Sequence, residues 1–218
     1  MAKKEILKLM IGFRKFREKF FDSETALFDK LSTSGQSPKT LIIACSDSRV
    51  DPALMAGASP GELFVVRNVA NLVPPVETSK LGLHGVSAAI EFAVTGLKVE
   101  NIVILGHRQC GGIRALMTGT PENQDTFVGR WMSIANSAKK KVIQQFGEPK
   151  SDADIDMMCR QCEMESIAVS IGNLKTFPFV SEAIKSRGLN IMGIYFDLEQ
   201  GQLFEYDEVL KKYSQIQL

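Results

Sequence analysis

Two short segments carry the residues of this chain that are best suited to chemistry. Residues 45–49 read Cys-Ser-Asp-Ser-Arg, and residues 107–110 read His-Arg-Gln-Cys. Zinc binds cysteine sulfur and histidine nitrogen, and a catalytic zinc site has three protein ligands with a fourth position left to water or substrate. The set Cys45, His107 and Cys110 therefore predicts a catalytic zinc site.

The elements that precede these segments indicate how the ligands meet. Each segment follows a short apolar, β-branched run, over residues 40–44 and 102–106, so both are predicted to begin where a strand ends. In an open parallel sheet, ligands bind in the crevice beyond the carboxyl ends of the strands. We therefore expect the three ligands at that edge of a sheet.

The order of elements predicts the fold class. From the amino end, the patterns indicate strand 40–44, a turn and short helix through Pro52, strand 62–67, a helix over about 84–96, strand 102–106 and a helix after Gly112. Residues 125–176 are predicted to be mostly helical with a break at 147–149, and strands are predicted over 190–196 and 202–206. This alternation predicts an α/β fold, a mostly parallel sheet with flanking helices.

The N-terminal segment predicts an amphipathic helix. Leu9, Phe13, Phe16 and Phe20 fall at helical spacing among lysines and arginines, without the apolar core of a signal peptide. We expect a single domain over 1–218, with an N-terminal helical arm over 1–34 and a zinc-binding α/β core over 35–218.

Composition narrows the class of protein. The 218 residues are 44% hydrophobic and 23% charged, with a formal net charge of +1, which is ordinary for a globular domain. We expect no nucleic-acid partner and no membrane insertion, since no run approaches the roughly 18 apolar residues of a membrane span. Thiolate ligands suit a reducing compartment, so a cytoplasmic location is expected.

The remaining cysteines, Cys159 and Cys162, form a lone Cys-x-x-Cys. A zinc ribbon needs a second such pair, and a thioredoxin-type motif needs a strand-to-helix junction. We expect buried or half-buried structural thiols.

Four segments, residues 45–49, 61–71, 107–112 and 172–180, resemble the β-class carbonic anhydrases in order and spacing, within a similarity that extends from about residue 35 to about 201. The resemblance implies one Zn²⁺ per chain and reversible hydration of CO₂ to bicarbonate and a proton by zinc-hydroxide attack.

Two thiolates already neutralise the charge of zinc, so a hydrogen-bond acceptor beside the metal becomes important. Asp47 is the candidate acceptor, and Arg49 is expected to hold Asp47 through a bidentate fork that keeps it ionised and off the metal.

The resemblance also implies a substrate pocket. Gln36 matches an amide that binds substrate oxygen, Phe64, Val69 and Phe92 match apolar walls, and Gly111 matches a backbone contact. In the family these residues come from two subunits, which implies a homodimer or a higher homo-oligomer.

Several residues depart from the family pattern. Phe92 stands where plant-like members carry tyrosine. Arg108 and Asp51 stand where small or apolar residues are common, and they could pair with each other or with other charges. Some bacterial members bind an inhibitory bicarbonate beside a tryptophan at the position of Ile42, so that site is expected to be missing. His84 is a candidate proton carrier, although a simple role at a helix start is the alternative.

Other functions fit the residues less well. A cysteine phosphatase would leave His107 and Cys110 unexplained. A noncatalytic bicarbonate-binding module and a hydrolase of COS or CS₂ remain alternatives, because a fold does not fix its activity.

Overall fold

The structure is a computed structural model that describes residues 2–22, 27–76, 84–119 and 126–217. The chain forms two compact units, residues 1–37 and 38–218. The single domain with an arm that ends at residue 34 stays a prediction.

The first unit contains helices α1 (Ala2–Phe20) and α2 (Leu27–Ser34). The predicted N-terminal helix is thus confirmed as α1. Phenylalanine rings join the two helices, with centroids 5.5 Å apart for Phe16 and Phe28 and 4.5 Å apart for Phe21 and Phe28. Large apolar side chains of α1 remain exposed, among them Ile6, Leu9, Met10 and Phe13.

The second unit contains the sheet and its covering helices. Its strands are β1 (Thr40–Cys45), β2 (Leu63–Asn68), β3 (Asn101–His107), β4 (Asn190–Asp197), β5 (Gln202–Asp207) and β6 (Lys212–Gln215). Its helices are α3 (Pro52–Ala56), α4 (Gly85–Glu91), α5 (Gly111–Thr118), α6 (Phe127–Met132), α7 (Asn136–Phe146), α8 (Asp152–Lys175) and α9 (Pro178–Arg187).

The strand order is β2-β1-β3-β4-β5-β6, in which the first four strands are parallel and the last two are antiparallel additions. This confirms the α/β class and the mostly parallel sheet. In the register of β1 with β3, Thr40 pairs with Asn101 and Ala44 with Leu105. The carboxyl ends of these strands therefore meet, and their last residues lie at one edge of the sheet.

The main core lies between one face of the sheet and the long helices. Strand residues such as Leu41, Ile43 and Ile104 pack in one cluster with Ile167 and Ile171 of α8. Helix α8 lies close to the strands because Gly106 and Gly193 leave room for it. A Cβ at Gly106 would lie 2.7 Å from Ile167 Cδ1, and one at Gly193 would lie 2.7 Å from Ile167 Cγ2.

The opposite face of the sheet is also apolar. A cavity of about 460 Å³ opens on it, lined by Ile42, Pro52, Met55, Ala56, Val103, Leu105, Ile194, Phe196, Gly201 and Leu203. That the inhibitory bicarbonate site is missing stays a prediction.

Some predicted boundaries were wrong for identifiable reasons. Pro52 begins a helix instead of ending one, because its fixed φ and missing N–H suit the first helical position, and Asp51 caps that helix by accepting from the Leu54 N–H at 3.0 Å. The helix predicted over 84–96 is α-helical only to Glu91 and continues as a π-helical turn over Phe92–Gly96. Strand β6 was not predicted, because it is short, polar and largely exposed.

In the described part of the chain, no helix combines the length and the apolar character that crossing a membrane requires.

Candidate metal centre

Three elements bring the predicted ligands together. Cys45 is the last residue of β1, His107 is the last residue of β3, and Cys110 caps the start of α5. Their ligand atoms all lie within 4.8 Å of one another, and the three residues are buried. The arrangement predicted from the strand ends is therefore present in the fold.

The hydrogen bonds of His107 leave one ring nitrogen for a metal. Nδ1 lies 2.8 Å from the main-chain oxygen of Arg108 and donates to it, which directs the lone pair of Nε2 toward the thiols. Nε2 is buried and has no hydrogen-bond partner in the described part of the chain. A buried ring nitrogen beside two thiols is a donor set that fits zinc.

The pKa values of the two thiols, Cys45 and Cys110, shift in opposite directions. A hydrogen bond from the Cys110 thiol lowers the pKa of Cys45, and the His107 ring and the N–H groups of Asp47 and Ala70 act in the same direction against burial. The same hydrogen bond and burial raise the pKa of Cys110, although the N–H groups of Gly112 and Ile113 oppose this at the start of α5. These contacts favour loss of the first proton from Cys45 over loss from Cys110.

The two glycines after Cys110 have different surroundings. A Cβ at Gly112 would lie 2.8 Å from Val69 Cγ1, so glycine lets the start of α5 pack against the turn that carries Ala70. A Cβ at Gly111 would meet nothing within 4 Å. Gly111 therefore faces open space, and its place in the substrate pocket stays a prediction.

Asp47 and Arg49 form the predicted ion pair. Arg49 Nε donates to Asp47 Oδ1 at 3.0 Å, and Nη2 donates to Oδ2 at 2.8 Å. The Arg49 N–H adds a bond of 2.9 Å to Oδ1. The guanidinium holds the pKa of Asp47 well below its usual range.

Arg67 organises the loop after β1 and was missed at the sequence level. It donates to the main-chain oxygens of Cys45 at 3.0 Å and Asp47 at 2.6 Å, and to the carboxylate of Asp51 at 3.1 Å. The sequence did offer one signal for a role of Arg67, namely its position within residues 61–71, a segment that resembles the family.

Arg108 and Asp51 do not pair with each other, and each pairs with another charged residue. Asp51 pairs with Arg67, whereas the buried Arg108 pairs with Asp156 and lies 3.5 Å from Glu199.

Glu163 of α8 contacts the main chain at Cys110. This residue was not identified from the sequence. Its side chain accepts from the main-chain N–H of Cys110 at 2.9 Å and from the Tyr195 hydroxyl at 2.8 Å. Burial raises the pKa of Glu163 to about 7. The sequence could have shown only that a carboxylate lies at a buried position of a helix. It could not have shown that Cys110 and Tyr195 are its hydrogen-bond partners.

Cys159 and Cys162 lie on α8 and are buried, as predicted. Burial raises the pKa of Cys159 to about 11 and that of Cys162 to about 12. Both therefore remain protonated thiols at neutral pH.

The other predicted pocket residues lie on different elements of the chain. Gln36 belongs to the first unit and is exposed. Phe64 and Phe92 have ring centroids 5.9 Å apart, and Phe92 is 51% and Val69 38% exposed. His84 precedes α4 as its cap residue. The pocket formed from two subunits stays a prediction, as does proton transfer by His84.

A mostly parallel α/β sheet with a Cys-His-Cys group beyond its strand ends indicates an α/β protein with a candidate metal site. Comparison with known proteins makes this specific. A family model for carbonic anhydrase matches residues 40–203. Beta carbonic anhydrase 3 of Arabidopsis thaliana is 38% identical over 201 residues, which cover 90% of this chain and 75% of that protein.

Solved structures agree with the sequence comparison. The β-carbonic anhydrase CcaA is 30% identical with a TM-score of 0.86, over 99% of this chain and 93% of that one. CafA of Aspergillus fumigatus is 27% identical with a TM-score of 0.79, over 93% and 91% of the two chains. A tetrameric enzyme of Sordaria macrospora is 27% identical with a TM-score of 0.77, over 94% and 96%. The chain belongs to the β-class carbonic anhydrases.

Proposed function

We propose that this carbonic anhydrase catalyses the reversible hydration of CO₂ to bicarbonate and a proton, with one zinc ion per chain bound by Cys45, His107 and Cys110. The observation that carries the proposal is the convergence of these three donor atoms, with a buried Nε2 that has no hydrogen-bond partner among the residues that the structure describes. Zinc with three protein ligands leaves a fourth position for water and lowers the pKa of that water, which supplies a nucleophilic oxygen for attack on CO₂.

Asp47 and Arg49 are proposed to prepare that oxygen for reaction. Asp47 accepts a hydrogen bond from the reacting water and so directs an oxygen lone pair toward carbon. Arg49 binds both carboxylate oxygens through a fork, which keeps Asp47 ionised at neutral pH and prevents it from turning onto the metal.

The substrate pocket is proposed to form between two copies of the chain. Val69 and Phe92 are large apolar residues that one chain leaves substantially exposed, and a related enzyme from Sordaria macrospora is tetrameric. We therefore propose a homodimer or higher homo-oligomer in which Gln36, Phe64, Val69 and Phe92 line a partner's site and Gly111 contacts substrate through its backbone.

The proposed location is the cytoplasm, and its basis is thiol chemistry. Two of the four cysteines must remain reduced to act as metal ligands. No observation favours COS or CS₂ over CO₂ as the substrate.

Stopped-flow measurement of CO₂ hydration with a pH indicator, combined with elemental analysis of the same samples, tests the proposal. We expect about one zinc per chain and rapid hydration that is lost in Cys45→Ala. Cys159→Ala is the matched control, because it removes a buried thiol outside the donor group, and it should retain zinc and activity. A protein that binds zinc and bicarbonate but does not hydrate CO₂ would instead be a binding module.

A further inference from the structure

Two edges of the Arg49 guanidinium are held, and only one of them is held by Asp47. On the other edge, Nη2 donates to the main-chain oxygen of Gln109 at 3.1 Å, and Nη1 donates to the side-chain Oε1 of Gln109 at 3.3 Å. The guanidinium is planar and its donors point in fixed directions. Contacts on both edges therefore fix its orientation, and Gln109 supplies one of the two.

Gln109 is itself held by Glu199, which lies in the turn between β4 and β5. Gln109 Nε2 donates to Glu199 Oε1 at 2.5 Å. The main-chain N–H of Glu199 donates to Asp197 Oδ1 at 3.0 Å, and Arg160 donates to Oδ2 of the same buried aspartate at 2.9 Å. The turn is thus fixed to α8, and a continuous series of polar contacts leads from it through Gln109 to Arg49.

The main chain of Gln109 adopts a conformation that glycine would adopt more easily. Its φ is +60°, in the left-handed region where a side chain is unfavourable. A strained residue near an active site is a reason to look for a function of its side chain. Here the side chain makes two polar contacts, one to Arg49 and one to Glu199, that glycine would lack.

We propose that Gln109 is a positioning residue of the active site: it holds Arg49 in the orientation in which Arg49 binds Asp47, and Glu199 holds Gln109. This inference rests on the proposed function, in which Asp47 acts beside the metal. Gln109 acts on Arg49 and not on substrate. Its loss should therefore lower kcat and leave KM within about twofold of wild type.

The first experiment uses Gln109→Gly in the zinc-loaded protein. This variant removes both side-chain contacts and also relieves the strained φ, and these two effects on Tm oppose each other, so Tm should stay close to that of wild type while kcat falls about tenfold. Lys98→Gly is the matched control, because Lys98 is exposed and has a φ of +55°. It should relieve the strained φ without the loss of these contacts and leave kcat unchanged.

The second measurement observes Arg49 directly. The ¹⁵Nε–H signal of Arg49, assigned with Arg49→Lys, should show a rigid side chain in wild type and a mobile one in Gln109→Gly. An equally rigid signal in both proteins, or a kcat within twofold of wild type, would overturn the inference. Gln109→Met, which keeps the length of the side chain without its polar atoms, applies the same criteria if the glycine variant does not fold.

A double-mutant cycle separates positioning from a general structural effect. Once Arg49 is replaced by alanine, the further change Gln109→Gly should alter the residual kcat by less than twofold. A tenfold loss in that background as well would mean that Gln109 acts independently of Arg49. Absence of CO₂ hydration by the wild type would contradict the proposed function, while the Arg49 signal would still decide whether Gln109 holds the guanidinium.

Discussion

Arg67 of β2 donates a hydrogen bond of 2.6 Å to the main-chain oxygen of Asp47, in the loop that follows the neighbouring strand β1. The same guanidinium donates to the oxygen of Cys45 at 3.0 Å. One side chain therefore holds the loop at a proposed metal ligand and at the proposed acceptor beside the metal.

We expect Arg67→Lys to weaken zinc binding about tenfold or more and to lower the free energy of unfolding by about 2 kcal/mol. A lysine ammonium lacks the planar fork that reaches several main-chain oxygens at once. Arg187→Lys is the matched control, because Arg187 also donates to main-chain oxygens, those of Val99 and Val94. Zinc competition assays and urea unfolding provide the measurements, and equal zinc affinity in both variants would contradict this role of Arg67.

Replacement of either thiol ligand should remove the metal. Cys45→Ser and Cys110→Ser exchange a soft sulfur ligand for a poorer oxygen ligand, so most of the zinc should be lost in each. Elemental analysis of the purified variants measures this. Full zinc content in both variants would exclude these two cysteines as ligands.

Asp47→Ala should separate metal binding from turnover. Zinc should be retained because no ligand is changed, while CO₂ hydration falls about 100-fold because the acceptor that orients the reacting oxygen is lost. Elemental analysis and stopped-flow kinetics on one preparation test both parts. Unchanged turnover would remove Asp47 from the mechanism.

Arg49→Ala should behave differently from Asp47→Ala. Without its partner, Asp47 is free to turn onto the metal, so activity should fall and recover partly at high pH, where hydroxide competes better for the open position. A crystal structure of this variant in which Asp47 stays clear of zinc, together with normal turnover, would contradict the clamp.

The pKa of Glu163 predicts a pH dependence of stability. Burial raises this pKa from 4.5 to about 7, so between these values the folded state binds more protons than the unfolded state. The stabilising contribution is full below about 4.5 and is lost as the pH rises to 7. The wild type should therefore lose stability relative to Glu163→Gln between pH 5 and 7, with no further relative change above that range.

Urea unfolding at a series of pH values measures this difference. Glu165→Gln is the control, since Glu165 is another carboxylate of α8, which pairs with Lys141. Parallel stability curves for the wild type and Glu163→Gln would show that Glu163 does not titrate in this range.

Deletion of residues 1–20 tests the proposed assembly. It removes a helix with large exposed apolar side chains, and obligate interfaces are large and apolar. We expect the dimer to weaken, with turnover that falls as dimer is lost on dilution. Light scattering at graded concentrations beside the hydration assay is the measurement. A fully active monomer would contradict the pocket shared between subunits but not the metal ligands.

The metal centre was predictable because it depends on local patterns and one rule of topology. Cys45 and His107 each end an apolar strand, and parallel neighbours place such residues at the same edge. The contacts of Arg67, Glu163 and Gln109 were not predictable in this way. In each case a long polar side chain contacts a residue of another element. The periodicity of the sequence predicts elements, but it does not predict which distant residue such a side chain contacts.

The strand register also has a consequence for the rate of folding. Because β1 pairs with β3 from Thr40 and Asn101 onward, the chain must close a loop of about sixty residues before the donor atoms meet, and such nonlocal pairing is slow. We expect the complete ligand set to form late in folding, in which case a bound metal would slow unfolding more than it speeds folding. Chains made in a zinc-poor cell would thus fold at the usual rate but unfold, and be degraded, sooner.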